Sequence, residues 1–198
     1  MFIKSINRML RSDIINVLFK WYNFQSYLEI GVAGLDATFD LIKASFKESV
    51  DPRVDPNNIY TYNTTSDDFF KNYAVKKYDV IFIDGLHTED QIYKDIYNAI
   101  NYLEDGGVIV LHDCNPSTED RIATNNGTVF KGFIRAKKEL KDWSCFVVDE
   151  DDGCGIITKR KILKNKIYDT PELTWDVFAE NRKLLLQLIS FEQYVQML

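Results

Sequence analysis

Residues 78–116 read YDVIFIDGLHTEDQIYKDIYNAINYLEDGGVIVLHDCNP, and this stretch decides the class of fold. It begins with an apolar, β-favouring run at 78–84, which is typical of a strand covered on both faces. Residues 89–104 carry isoleucines at helical spacing, and the Asp-Gly-Gly run at 105–107 is expected to end that helix. A second apolar run, VIVLH, occupies 108–112. A strand, a helix and another buried strand in this order predict a parallel α/β unit.

Segments on both sides of this unit continue the alternation of strands and helices. The last two predicted strands lie close together around the turn EDDGCG, so we expect an antiparallel hairpin at one edge. We therefore predict one doubly wound, mostly parallel α/β sheet of seven strands with helices on both faces. The other predicted helices cover 12–24 with Ser12 as N-cap, 35–47, 66–73 with Ser66 or Asp67 as N-cap, 128–140, and 172–198 as one long helix or two shorter ones. The other predicted strands cover 26–30, a short segment ending near Val50, 58–62, 143–148 and 156–158.

Length and charge limit what the chain can do. At 198 residues it is long enough for one domain, which we divide into an N-terminal helical cap (1–25), a cofactor-binding core (26–160) and a C-terminal helical extension (161–198). The 24 Lys and Arg residues against 30 Asp and Glu give a net charge of −6, which argues against a general nucleic-acid binder. We find no membrane-spanning run, no signal peptide and no cysteine framework, so we expect a cytoplasmic protein with reduced thiols and no membrane partner.

Acidic residues follow the first two predicted strands. Glu29 precedes a turn with two glycines, Gly31 and Gly34, which let the backbone approach a ligand. The turn lacks the three-glycine dinucleotide pattern, and its carboxylate would suit a cationic amine or sulfonium better than a pyrophosphate. Asp51 stands 22 positions after Glu29, near the spacing of an acid that binds ribose hydroxyls. The alternatives are an ordinary tight turn with a surface glutamate, and a turn acid in DPRVDP.

The next three candidates are Ser66, Asp67 and Asp68, where a carboxylate could accept a hydrogen bond from an adenine amino group. Helix capping explains this segment equally well. More informative are Asp84 and Asp113, which leave neighbouring strands, because hard oxygen ligands on adjacent strands suit Mg²⁺. The two histidines of the chain, His87 and His112, each lie beside one of these aspartates, and we favour a functional reading of both strand ends. No Cys/His spacing indicates structural zinc.

Several segments occur together in the order of one enzyme family. They are YLEIGVAG at 27–34, SVDP at 49–52, TTSDDFF at 64–70, the stretch 78–116, NNGTVFKGFIRAKKEL at 125–140 and DEDDGCGII at 149–157. The chain thus resembles the class I S-adenosylmethionine-dependent methyltransferases, whose fold is Rossmann-like. The subgroup it is most similar to is methyltransferase family 24, which includes sugar and small-molecule O-methyltransferases. The resemblance covers about residues 26–160.

The resemblance implies roles for the candidates already named. The turn from Glu29 to Gly34 would face the methionine part of S-adenosylmethionine, Asp51 would hold the ribose, and Ser66, Asp67 or Asp68 would neighbour the adenine. Asp84 would lie at the cofactor and, with Asp113 and His112, would bind a divalent ion. The chain departs from the subgroup at two places. His112 and Asp113 stand where relatives have an acidic or amide pair, and Thr128 and Phe130 replace the Asp and Trp of a G-D-V-W-K segment.

These observations predict a methyltransferase that moves a methyl group from S-adenosylmethionine to a hydroxyl of a small acceptor, such as a sugar or sugar nucleotide. His87 is the expected base, with Asp84 and Asp113 as further catalytic groups and Mg²⁺ as a second cofactor. We also expect a homo-oligomer through the C-terminal helices. Two alternatives stay open: a protein that binds the cofactor without catalysis, and a nicotinamide-dependent oxidoreductase, which the missing third glycine disfavours.

Overall fold

The computed structural model describes residues 9–32, 38–53, 60–170 and 172–198. Seven strands of the described residues form one sheet in the order β2-β1-β3-β4-β6-β5-β7. They are β1 (Ser26–Ile30), β2 (Phe46–Val50), β3 (Tyr78–Ile83), β4 (Leu103–Leu111), β5 (Ser144–Val148), β6 (Cys154–Thr158) and β7 (Leu188–Ile189). The first four strands are parallel, and β6 runs antiparallel to both β4 and β5. The predicted fold class, including the antiparallel hairpin, is confirmed.

Helices cover both faces of the sheet. They are α1 (Arg11–Tyr22), α2 (Thr38–Leu41), α3 (Ser66–Asn72), α4 (Glu89–Asn101), α5 (Glu119–Arg121), a π-helical segment (Ile122–Asn126), α6 (Val129–Glu139), α7 (Trp175–Leu186) and α8 (Phe191–Met197). The alternating side chains of β3 divide the core, since Ile81 belongs to the cluster with α4, α6 and α7, and Phe82 to the cluster with α1 and α8. Within the described ranges, no helix has the length and apolar character needed to cross a membrane.

The predicted strand at 58–62 begins outside the described residues, which resume at residue 60, and the described part forms no strand. From residue 60 onward, Tyr62 makes an isolated parallel bridge to Val50. The seventh strand is instead β7, which lies between α7 and α8, the two shorter helices that are one of the two predictions for 172–198, and it pairs in parallel with β5. Gln187 lies between α7 and β7 in the left-handed conformation, with φ of 50°, and so ends the helix. Local periodicity missed this because two residues are too few to produce an alternating pattern.

Several predicted boundaries also differ. The helix predicted at 35–47 is helical over Thr38–Leu41 in the described residues, and Phe46 and Lys47 belong to β2 because they pair with β1. The helix predicted at 89–104 ends at Asn101, and the chain enters β4 before reaching the glycines at 106 and 107. Residues 33–37, which include Gly34, lie outside the described residues.

Two predicted N-caps are wrong. Leu10, rather than Ser12, precedes α1, and its backbone N–H donates to the Asp13 carboxylate. Thr65 caps α3, because its hydroxyl accepts a hydrogen bond from the backbone N–H of Asp68 at 3.2 Å. The run TTSDD offers several capping side chains in succession, so its composition alone does not select the first helical residue.

Candidate active site

A cleft of about 800 Å³ opens at the carboxyl ends of β1, β2, β3 and β4. The segments that follow these strands line it, together with the start of α1, the π-helical segment and the turn between β5 and β6. This is the edge at which a doubly wound sheet binds its ligand, and the volume is within the range of small-molecule sites.

Asp84 occupies the centre of the cleft, directly after β3. One carboxylate oxygen accepts a hydrogen bond from Arg11 Nη1 at 2.9 Å. The other lies 3.2 Å from His87 Nε2 and 3.4 Å from His112 Nδ1. Burial opposes ionisation of Asp84, but hydrogen bonds with His112 and His87 outweigh it and hold the pKa below its usual range. Asp84 is therefore an anion surrounded by nitrogen donors.

Asp113, after β4, lies opposite Asp84 in the same cleft. Its backbone is left-handed, with φ of 60°, and Asn126 Nδ2 donates to its carboxylate at 2.7 Å. Its other oxygen is 3.3 Å from His87 Nδ1. Asp84, His87 and Asp113 each offer an atom within 4.8 Å of the others, which is close enough to share one metal ion. The structure thus brings together three of the predicted catalytic and metal-binding residues.

The ring of His87 is oriented by a backbone group. Its Nδ1 lies 2.7 Å from the carbonyl oxygen of Asn125. Because a carbonyl can only accept, Nδ1 carries the hydrogen, and Nε2 is the nitrogen that exchanges a proton. The hydrogen bond with Asp84 is the largest cause of a raised pKa at His87, ahead of the opposing effect of burial. The two aspartates and the carbonyl therefore all favour the imidazolium form.

His112 is a neighbour of this group but is more deeply enclosed. Its Nδ1 lies 3.1 Å from Arg11 Nη1 and 3.2 Å from an Asp113 oxygen, and its Nε2 is 3.8 Å from Asp151. Burial opposes its charge, but the nearby carboxylates of Asp113, Asp151 and Asp84 raise the pKa of His112 to about 11. His112 stays a predicted metal ligand, and in this structure it is enclosed by three carboxylates and by the Arg11 guanidinium.

Sequence reasoning missed Arg11, Asp151 and Asn126. The Nε and the backbone N–H of Arg11 both donate to Asp151 at 2.9 Å. Asp151 lies in the β5–β6 turn, where residues 151, 152 and 153 all have positive φ. The run DEDDG carries a signal for such a turn, since Asp and Gly tolerate this conformation. Nothing near Arg11 in the sequence indicates its distant partner.

One side of the cleft contains Gly31 and Asp51, the residues predicted to contact the cofactor. Gly31 has φ of +88°, and a Cβ there would lie 2.2 Å from the carbonyl oxygen of Asp84, so this turn requires glycine. The Asp51 carboxylate accepts hydrogen bonds from the backbone N–H groups of Val32 and Arg53, both at 2.9 Å. The Arg53 guanidinium also donates to it, from Nε at 2.8 Å and from Nη2 at 2.6 Å.

Glu29 lies beneath this turn and is 1% exposed. The Tyr27 hydroxyl donates to its carboxyl at 2.6 Å, and burial raises the pKa of Glu29 to about 8. A neutral carboxyl at physiological pH would attract a cation less than the sequence-based argument assumed. Its contact with the methionine part of the cofactor stays a prediction.

The predicted adenine segment also reaches the cleft. Ser66 and Asp67 line it, whereas the described contact of Asp68 is its backbone N–H to Thr65. Gln91 Nε2 lies 3.3 Å from the Ser66 hydroxyl and 3.1 Å from an Asp67 oxygen. Gln91 therefore ties α3 to α4 at this end of the cleft.

A sheet of this order, with an acid-lined cleft at its carboxyl edge, defines a class I methyltransferase fold. The family model described as "Methyltransferase domain" matches residues 14–114, which is just over half of the chain. The chain therefore belongs to this methyltransferase domain family, and it is an S-adenosylmethionine-dependent methyltransferase, as the resemblance implied. No curated protein matches the chain.

Similar solved structures support the same fold. An O-methyltransferase from Bacillus cereus in complex with SAH is 16% identical, with a TM-score of 0.57 over 75% of this chain and 80% of that chain. TomG from Streptomyces achromogenes, an O-methyltransferase involved in tomaymycin synthesis and solved with SAM, is 12% identical, with a TM-score of 0.54 over 74% and 78%. MycE, from the mycinamycin biosynthetic pathway and solved with Mg, SAH and mycinamycin VI, is 16% identical, with a TM-score of 0.50 over 78% of this chain and 50% of its own.

Proposed function

We propose that this methyltransferase transfers the methyl group to a hydroxyl of a small, sugar-like acceptor. The observation that carries the proposal is the juxtaposition of Asp84, His87 and Asp113 at one end of the cleft. Methyl transfer needs the acceptor oxygen in line with the sulfonium methyl group, so positioning supplies much of the catalysis. It also needs a group that removes the hydroxyl proton, and His87 has the placement for that role.

His87 is the proposed general base. Asn125 fixes its Nδ1–H, so Nε2 is the nitrogen that would take the proton from the acceptor hydroxyl; this requires the neutral ring, with the acceptor in place of the present Nε2 contact with Asp84. The imidazolium formed in that step lies between the carboxylates of Asp84 and Asp113, at 3.2 and 3.3 Å. These two charges stabilise the protonated ring, as the aspartate of a serine-protease triad stabilises its histidine.

The donor set also fits a divalent cation. Asp84 and Asp113 supply two carboxylates and His87 an imidazole, all within 4.8 Å of one another, with His112 as the further predicted ligand. A His87 that binds the ion through Nε2 cannot also take the hydroxyl proton, so its roles as ligand and as base are alternatives. Mg²⁺ prefers a few carboxylates and keeps water or substrate oxygens. When bound, such an ion would lower the pKa of an acceptor hydroxyl and fix its orientation. The similar MycE structure, which contains Mg, supports testing this metal first.

The cofactor half of the proposal assigns the ribose to Asp51 and the adenine to Ser66, Asp67 or Asp68. Glu29, Gly31, Gly34 and Asp84 would lie along the methionine part. For the acceptor we propose a surface from residues 1–25, 114–130 and 160–198. We also retain the proposal of a homo-oligomer formed through α7 and α8.

Two measurements on the full chain test the function. Calorimetry with S-adenosylhomocysteine should show binding, and absence of binding at millimolar ligand would refute the cofactor assignment. Formation of S-adenosylhomocysteine from S-adenosylmethionine is then measured with a panel of sugars and sugar nucleotides. His87→Gln should bind the product normally yet turn over at least about 100-fold more slowly, because it lacks the base. If EDTA leaves wild-type turnover unchanged, the proposed role of the metal ion is refuted.

The same measurements address the catalytically inactive alternative. Cofactor binding without turnover on any member of a broad acceptor panel would favour a protein that keeps the fold and lacks transfer activity. The replacement of the family's Asp by Thr128 motivates that alternative. However, Thr128 Oγ1 accepts a hydrogen bond from the Glu89 backbone N–H at 2.7 Å, so an oxygen acceptor is still present at this position.

A further inference from the structure

Arg11 brings a positive charge into the cleft at the place where a metal ion would bind. Its Nη1 lies 2.9 Å from Asp84 Oδ2 and 3.1 Å from His112 Nδ1. Its Nε donates to Asp151, and its backbone N–H donates to the same oxygen. The side chain is 29% exposed, so the guanidinium is partly withdrawn from water. Such a charge-assisted pair is stronger than an exposed one.

A divalent ion shared by Asp84, His87 and Asp113 would require lone pairs of the Asp84 carboxylate. In this structure one Asp84 oxygen accepts from Arg11, and the other faces two imidazoles. A cation next to that carboxylate would also face the like charge of the guanidinium, which is costly in a poorly hydrated site. Arg11 and a metal ion therefore place competing demands on the same group.

Asp151 gives Arg11 a position that does not depend on Asp84. The carboxylate accepts from both the Nε and the backbone N–H of Arg11, so the main-chain contact with Asp151 remains when the planar guanidinium turns and takes Nη1 away from Asp84. The first turn of α1 also favours an anion, because its N–H groups have no partner within the helix. The Arg11 guanidinium therefore stays close to the metal position both when Nη1 contacts Asp84 and when it does not.

We propose that Arg11 is a tethered cation that competes with a divalent ion for Asp84, so that metal binds only when the guanidinium moves off this carboxylate. The inference rests on the metal site of the proposed function. It makes Arg11 a positioning residue that sets metal affinity, and it predicts that wild-type protein holds the ion weakly without acceptor.

The test is a titration with Mn²⁺ followed by electron paramagnetic resonance, on the full chain without cofactor or acceptor. Arg11→Gln should bind Mn²⁺ at least about tenfold more tightly than the wild type, because the competing charge is gone. Arg121→Gln is the matched control, since Arg121 pairs with Asp152 at the rim of the same cleft and does not contact Asp84. It should change Mn²⁺ affinity by less than about threefold.

Adding Asp84→Asn to the Arg11→Gln protein should abolish the gain. Equal Mn²⁺ affinity of wild type and Arg11→Gln would overturn the proposal, as would an equal gain in Arg121→Gln or no Mn²⁺ binding to either protein. Calorimetry with S-adenosylhomocysteine on each variant reports whether the cofactor half is intact. Failure of the wild type to bind that ligand would count against the proposed function, whatever the Mn²⁺ result.

Discussion

The Arg53 guanidinium donates to both carboxylate oxygens of Asp51, the residue assigned to the cofactor ribose. Two backbone N–H groups, from Val32 and Arg53, donate to the same carboxylate. An ionised carboxylate has about four acceptor positions, so these four donors fill it. Ribose hydroxyls can therefore reach Asp51 only after the guanidinium has left.

We predict that Arg53→Gln binds S-adenosylhomocysteine about twofold to fivefold more tightly, because the Arg53 side chain is 55% exposed and such a partly hydrated ion pair is weak. Calorimetry measures the affinity. Arg135→Gln is the control, since it removes an arginine that pairs with Asp90 outside the cleft. Weaker binding by Arg53→Gln would contradict the prediction and would indicate that Arg53 contacts the cofactor directly.

Gly127 is a position at which we expect a substitution to lower the stability of the fold strongly. It has φ of +54°, and a Cβ there would lie 2.0 Å from the His87 carbonyl oxygen. Gly127→Ala should therefore lower the free energy of unfolding by at least about 2 kcal/mol and displace His87. Urea denaturation measures the loss. Gly85→Ala is the matched control, because its Cβ would make an ordinary 3.5 Å contact with Ile30. Equal stability of the two variants would refute the argument.

Thr128 gives a milder test of the same region. Its hydroxyl accepts from the Glu89 N–H at the start of α4, and its own N–H donates to the His87 carbonyl. Thr128→Val keeps the shape and removes the acceptor, which should cost about 1 kcal/mol of stability and reduce turnover. Thr128→Ser should retain both properties. We would measure urea midpoints and product formation for all three proteins, and an unchanged Val variant would exclude this capping role.

Glu29 should make stability depend on pH. Burial raises its pKa in the folded state to about 8, above the unfolded value of 4.5, so the folded state binds more protons between these two values. Its contribution is fully present below pH 4.5 and is lost as the pH rises toward 8. Glu29→Gln, which stays neutral, should gain stability relative to wild type over this window, with a limit on the order of 4 kcal/mol.

Chemical denaturation at pH 5 and pH 8 measures this difference, and on linkage grounds it should be larger at the higher pH. Glu104→Gln is the control, because Glu104 is exposed on β4. If the free energies of unfolding of Glu29→Gln and wild type differ by the same amount at both pH values, Glu29 has an ordinary pKa in the folded protein.

The central strands could be predicted because their apolar residues run continuously, whereas a half-exposed strand alternates apolar and polar residues. β3 is confirmed almost to the residue, at Tyr78–Ile83. In contrast, β7 consists of Leu188 and Ile189 and exists only because β5 offers an edge for pairing. Tyr62 shows the opposite effect. The residues around it favour a strand by composition, yet Tyr62 makes an isolated bridge to Val50. Tertiary pairing, which local sequence does not encode, decides both cases.

The proximity of the predicted site residues and the contacts that sequence reasoning missed have a related physical cause. Parallel strands bring their carboxyl ends to one edge, so Asp84 and Asp113 could be placed together from the order of the strands. His87 follows Asp84 by three positions and was included for that reason. Arg11 and Asp151 belong to different elements, and their contact depends on how α1 packs against the sheet. No spacing rule relates two such positions.

The hydrogen bonds between Arg11 and Asp151 join positions 140 residues apart. Because synthesis adds about 5–20 residues per second, the ribosome releases the helix with Arg11 well before the turn with Asp151. A nascent chain can thus complete β1 to β4 and still lack the anchor that positions Arg11. The electrostatic balance of the cleft is consequently incomplete until the turn with Asp151 has been synthesised and has folded against α1.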